Sequence, residues 1–123
     1  MLMEYGEATI LDHLDSVEMD ESQPVIYDRP IGTRLLYEDP VSGAEHYLIR
    51  YPAGLKAELH RHTAAHTIIV LEGRLTDNDQ VIGPGAYCHF PAREPMFHAP
   101  AGEEACLFIN IFHGPSDVES LER

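Results

Sequence analysis

Beyond residue 24 the apolar positions show little helical periodicity and gather into short runs rich in β-branched and aromatic residues. The runs are "TRLLYED", "AEHYLIRY", "TIIVLEGRLT", "AYCHF" and "ACLFINIF". Turn signals separate them: Asp39-Pro40 with Ser42-Gly43, Pro52-Ala53-Gly54, Asp77-Asn78-Asp79, Gly83-Pro84-Gly85 and Pro100-Ala101-Gly102. Strands at this spacing, in a chain with nine Gly and nine Pro, predict an all-β sandwich or barrel. The one helical candidate is "ILDHLDSVEMD" over 10–20. The pattern divides the chain into an N-terminal segment (1–24), a single domain (25–115) and a frayed C-terminal tail (116–123).

Length fits that division, because 123 residues can bury roughly two-thirds of their unfolded surface without disulfide staples. Cys88 and Cys106 each lie in an apolar run and read as reduced core thiols of a cytoplasmic protein. No stretch has signal-peptide character or approaches the ~20 apolar residues of a membrane span. Twenty-one acids against eight Lys plus Arg give a net charge of −13. Such a surface repels phosphate backbones and argues against a nucleic-acid partner. The first 21 residues carry Glu4, Glu7, Asp12, Asp15, Glu18, Asp20 and Glu21 with no Lys or Arg, and read as a solvated segment.

Candidate chemistry concentrates in "GLKAELHRHTAAHTIIVLEG", Gly54 to Gly73. Side chains alternate along a strand, so His60 and His62 share a face, with Glu58 on it and Arg61 turned away. A tight turn at "TAA" would make a hairpin with His66 opening its second arm, bringing three imidazoles together. Convergent neutral imidazoles suit Zn, Fe, Ni or Cu and suit Mg or Ca poorly.

The spacing of Gly54, His60, His62, His66 and Gly73 resembles the first motif of the cupin superfamily, with His66 where that family usually has a glutamate. The second cupin motif is similar to "GAYCHFPAREPMFHAP", which departs from it in two ways. Arg93 replaces the usual glycine, and Met96 stands at the usual histidine. His98, two residues later and on the same strand face, takes the ligand role, and the family's later asparagine is absent. The resemblance implies a double-stranded β-helix, the RmlC-like jelly roll, with a metal at the barrel mouth and a homodimer. "HRHTAAHTIIVLEGR" is also similar to small cupins related to 2,4′-dihydroxyacetophenone dioxygenase and to the sensor domain of ChrR anti-sigma factors.

A glutamate ligand would leave a divalent site with one net positive charge, whereas four imidazoles leave two. That favours an anionic or enolisable small-molecule substrate. The expected function is a mononuclear non-haem Fe(II) dioxygenase cleaving a C–C bond of a small dicarbonyl or hydroxyketone. Its metal ligands are His60, His62 and His98, with His66 as a fourth that either stays bound or swings away. Zn or Ni also suits the site. Two alternatives stand beside this: a non-catalytic Zn or small-ligand sensor, and an O2-independent isomerase or lyase. His46, His89 and His113 read as ordinary hydrogen-bonded residues and His13 as solvated. Glu58 reads as an exposed strand residue, or as an acceptor for an imidazole or a base. Arg93 reads as a salt-bridge partner of Glu94 or Glu103, with contact to an anionic substrate as the alternative. Tyr47, Tyr51, Phe90, Phe97, Phe108 and Phe112 read as core or pocket lining.

Overall fold

The apolar runs become strands where one face can be buried. In the computed structural model, which describes residues 8–122, eleven strands follow in order. They are β1 (Asp20–Ser22), β2 (Ile31–Glu38), β3 (Glu45–Tyr51), β4 (His60–His62), β5 (His66–Glu72), β6 (Leu75–Asp77), β7 (Gln80–Ile82), β8 (Tyr87–Phe90), β9 (His98–Pro100), β10 (Cys106–Phe112) and β11 (Val118–Ser120). One six-stranded sheet runs β1-β2-β3-β10-β5-β8, with antiparallel pairing throughout. A three-stranded sheet runs β7-β6-β9, and β4 pairs with β11. A two-way backbone bridge between His60 and Met96 ties these smaller sheets into a second layer.

The core lies between the layers. Ile49, Tyr51, Ile68, Val70 and Phe108 of the large sheet pack with Leu55, Leu75 and Ile26. Phe108 is fully buried, and truncating such a side chain to Ala costs about 3–5 kcal/mol. This is the all-β jelly roll expected from the sequence. Each turn signal sits at a chain reversal. At the first, the Asp39 carboxylate accepts from the N–H groups of Val41 and Ser42 at 2.8 and 3.2 Å. Gly73 is required by space and by backbone: its φ is 73°, and a Cβ there would lie 2.2 Å from the Ala105 carbonyl oxygen.

Three expectations are corrected. The helix over 10–20 is a single 3-10 turn, Leu14–Ser16. The frayed tail contains β11, whose residues Val118, Glu119 and Ser120 pair with His62, Arg61 and His60. Nor do β4 and β5 form a hairpin. The edges of β4 are taken by β11 and Met96, and those of β5 by β10 and β8, so 63–65 cross from one layer to the other. Of the acidic segment, residues 1–7 with Glu4 and Glu7 lie outside the described residues, while Asp20 and Glu21 sit in β1 at the sheet edge. Among the described residues no helix is long and apolar enough to cross a membrane.

Candidate metal centre

β4 places His60 and His62 on its buried face and Arg61 on the other, where its guanidinium meets Glu119 at 2.8 Å. β9 begins with His98, and Met96 and His98 are both buried while Phe97 between them is less so, as strand parity requires. One ring nitrogen from each of His60, His62 and His98 lies within 4.8 Å of the others. That spacing lets one ion take all three. His66 is not in this set. Its ring stands 4.6 Å from that of His62 and 6.1 Å from that of His98, reached across the interior rather than along a hairpin.

Hydrogen bonds fix which nitrogens face the centre. His60 Nδ1 lies 2.7 Å from the Glu58 carbonyl oxygen, which can only accept, so Nδ1 carries the proton and Nε2 keeps its lone pair. His98 Nδ1 is 2.5 Å from the Tyr51 hydroxyl, which is in turn hydrogen-bonded to the Tyr27 hydroxyl. The Nε2 atoms of His60, His62 and His98 are buried without a hydrogen-bond partner. So are both nitrogens of His66, whose ring stacks on Phe90 at 4.9 Å and tilts against Phe112 at 5.4 Å. Buried polar atoms are rarely left unpaired, and orphaned imidazole nitrogens converging on one point fit a transition-metal ion.

Burial, followed by repulsion from neighbouring imidazoles, lowers His62 to about 4 and His66 to about 3. His98 is held well below the usual histidine range for the same reasons, and burial also lowers His60. All four rings are therefore neutral near pH 7, the form that binds metal. Both cysteines are free, and burial lifts each thiol to about 11, which keeps them protonated.

A cavity of about 320 Å3 opens beside the centre, lined by His62, His98, Tyr27, Tyr47, Asn110 and Phe112 among others. Its size matches a small organic ligand. Several groups here were not assigned from sequence. Tyr51, expected only as core or lining, holds a ring nitrogen of His98 across 47 residues of sequence. Tyr27 carries no signal in the sequence, and Asn110 only that of a polar residue in an apolar strand. Asp77, 7 % exposed and paired across strands with His98, has its carboxyl lifted to about 6 by burial, the Cys88 thiol opposing the shift.

The remaining assignments resolve as follows. Glu58 serves His60 through its carbonyl, and its carboxylate accepts from Ser120 Oγ at 2.7 Å. Arg93 makes no ion pair with Glu94 or Glu103; among the described residues the ion pairs are Asp28–Arg29 and Arg61–Glu119. Its backbone instead adopts φ 68°, the left-handed form natural to the glycine it replaces, and its N–H donates to the His62 carbonyl at 2.8 Å. His89 and His113 both bond the Thr67 hydroxyl, and His46 packs edge-on against Tyr37.

Solved structures with this fold include a cupin-like protein from Thermotoga maritima, 18% identical, with a TM-score of 0.75 over 86% of this chain and 89% of that one. The polyketide cyclase RemF from Streptomyces resistomycificus is 19% identical, with a TM-score of 0.73 over 93% and 86% of the two chains. An acetylacetone dioxygenase from Acinetobacter johnsonii is 14% identical, with a TM-score of 0.68 over 99% and 87%. At such identities the likeness is one of fold. No curated protein sequence matches the chain. Residues 15–117 match the family described as the ChrR cupin-like domain, and with the histidine centre in the barrel between its layers, the chain belongs to that cupin family.

Proposed function

We propose that this cupin is a mononuclear non-haem Fe(II) dioxygenase that cleaves a C–C bond of a small dicarbonyl or hydroxyketone. The observation that carries the reading is the set of orphaned Nε2 atoms on His60, His62 and His98, two of whose rings line a cavity of ligand size. Bound Fe(II) would supply Lewis acidity toward an enolate and one-electron chemistry toward O2. The chain's own part is positional. The Glu58 carbonyl and the Tyr51 hydroxyl orient His60 and His98, while His66 waits as a fourth donor beside His62. Phe90 and Phe112 pack around His66 and keep water from it. Neutral imidazoles leave the ion its full double charge, which supports an enolate or other anionic chelate as ligand. The same reading takes the protein as a cytoplasmic homodimer acting on a small molecule.

A second reading is favoured by the family match itself. A ChrR-like cupin could hold zinc and a small ligand as a sensor, without turnover. The fold likeness to a polyketide cyclase keeps O2-independent chemistry as a third outcome. The deciding experiment is elemental analysis of untagged protein purified without added metal, paired with oxygen uptake after anaerobic Fe(II) loading. Near-stoichiometric iron and O2 consumption with β-diketones or hydroxyketones support the dioxygenase. Tightly held zinc and no uptake reject it in favour of the sensor, and turnover without O2 favours the isomerase or lyase.

A further inference from the structure

β10 runs through "CLFINIF", and its one polar residue, Asn110, is turned inward. Phe108 and Phe112 flank it on the same face, the first with its ring 6.0 Å from that of His98, the second 5.1 Å from that of His62. Asn110 is thus held between two rings that touch the histidine centre, and it lines the same cavity as His62 and His98. It is 2 % exposed, and its Oδ1 has no hydrogen-bond partner. A leucine would suit this apolar strand better, since an unpaired buried acceptor is costly. The cavity also has a sign. Glu45 and Asp117 line it, and none of its lining residues is Lys or Arg.

We propose that Asn110 sets ligand specificity, its Oδ1 accepting a hydrogen bond from an O–H or N–H of a metal-held ligand that carries no further acidic group. The inference rests on the metal-held small ligand proposed above and chooses within it. A hydroxyketone chelates through its carbonyl and hydroxyl oxygens and keeps an O–H to donate. A β-diketone held as its enolate has none, and leaves Oδ1 orphaned. Sites with a buried hydrogen-bonding group discriminate strongly against partners that cannot use it. A carboxylate on the part of the ligand away from the metal would meet Glu45 and Asp117 with no Lys or Arg in the lining to offset them.

The test measures binding without turnover, on full-length protein loaded with redox-inert Zn(II). Three probes are titrated by calorimetry: 2-hydroxyacetophenone, its 4-carboxy analogue and acetylacetone. Asn110→Leu should weaken 2-hydroxyacetophenone at least tenfold while leaving acetylacetone within threefold. The carboxy analogue should bind the unmodified protein at least tenfold more weakly than its parent, with Glu45→Gln narrowing that gap. Equal effects of Asn110→Leu on both neutral probes, or none on either, overturn the proposal, as does equal binding of the carboxy analogue. If Asn110→Leu fails to fold or to take up zinc, Asn110→Ala decides on the same criteria. Failure of all three probes to bind overturns both this inference and the metal-held ligand. The expected selectivity without O2 uptake by the iron-loaded protein overturns only the dioxygenase.

Discussion

His66 and Thr67 are neighbours in sequence at the start of β5, and they open onto two different histidine groups. Inward, His66 joins His60, His62 and His98, whose Nε2 atoms lack any hydrogen-bond partner, as do both nitrogens of His66. Outward, the Thr67 hydroxyl is shared by His89 and His113, at 2.9 and 2.8 Å, and both of those rings are exposed. The residue type is the same on both faces. What differs is solvent and partner: a hydroxyl satisfies the outer pair, whereas the inner four are packed among aromatic rings and one another. A histidine becomes a candidate ligand when burial removes its alternatives, and clustering alone does not achieve that.

Four experiments test this contrast. The largest effect is expected from His60→Ala or His62→Ala, each costing ~100-fold or more in metal affinity, on the order of 3 kcal/mol, read by competition with a chromophoric chelator. Retention of metal by both variants would end the metal-centre reading.

Acid should separate the faces next. Burial, then repulsion from His60, puts His62 near 4, and burial with its neighbours puts His66 near 3, against an ordinary 6.5. Below about 6.5 the unfolded chain therefore binds protons that the folded protein refuses. These two rings should cost the metal-free protein ~4 kcal/mol of stability between pH 7 and 5, about 2 kcal/mol each, with His66→Phe roughly halving their share of the slope. Urea unfolding across that range checks it; a slope indifferent to His66 counts against a buried neutral ring.

Tyr51→Phe removes one hydroxyl and leaves the ring in place. The expected loss is ~10-fold in metal affinity, with the ring-nitrogen signals of His98 shifted in NMR spectra. An unchanged affinity would make the Tyr27–Tyr51 pair a packing feature only. Smallest of all, His89→Gln or His113→Gln should alter stability by less than ~0.5 kcal/mol and metal affinity not at all. A large loss of metal there would dissolve the distinction between the faces.

Much of the fold could be read from the chain because its signals are local. The glycine and proline turns, the alternating face of His60 and His62, and the parity linking Met96 to His98 each depend on residues within a few positions. What could not be read depends on distant pairing. "TAA" looks like a hairpin turn until β4 is seen to be claimed by β11, some 58 residues away as Arg61 meets Glu119. Tyr27 and Tyr51 reach His98 only because a loop, β3 and β9 meet in space, and no spacing records that. Asn110 is visible in the sequence as a polar residue in an apolar strand, but its lack of a partner is a property of the folded interior.

The strand bearing His60 and His62 is held chiefly by the end of the chain. β11 pairs with it residue for residue, the Leu121 N–H donates to the Leu59 carbonyl at 2.9 Å, and the Glu122 carboxylate accepts from the Leu59 N–H. For anyone producing the protein this has a practical meaning. A purification handle fused close behind Glu122 would crowd the clasp on the ligand strand, and a polyhistidine handle would also compete for the ion. A handle without histidines, fused ahead of the domain, would leave both the clasp and the metal inventory as the cell made them.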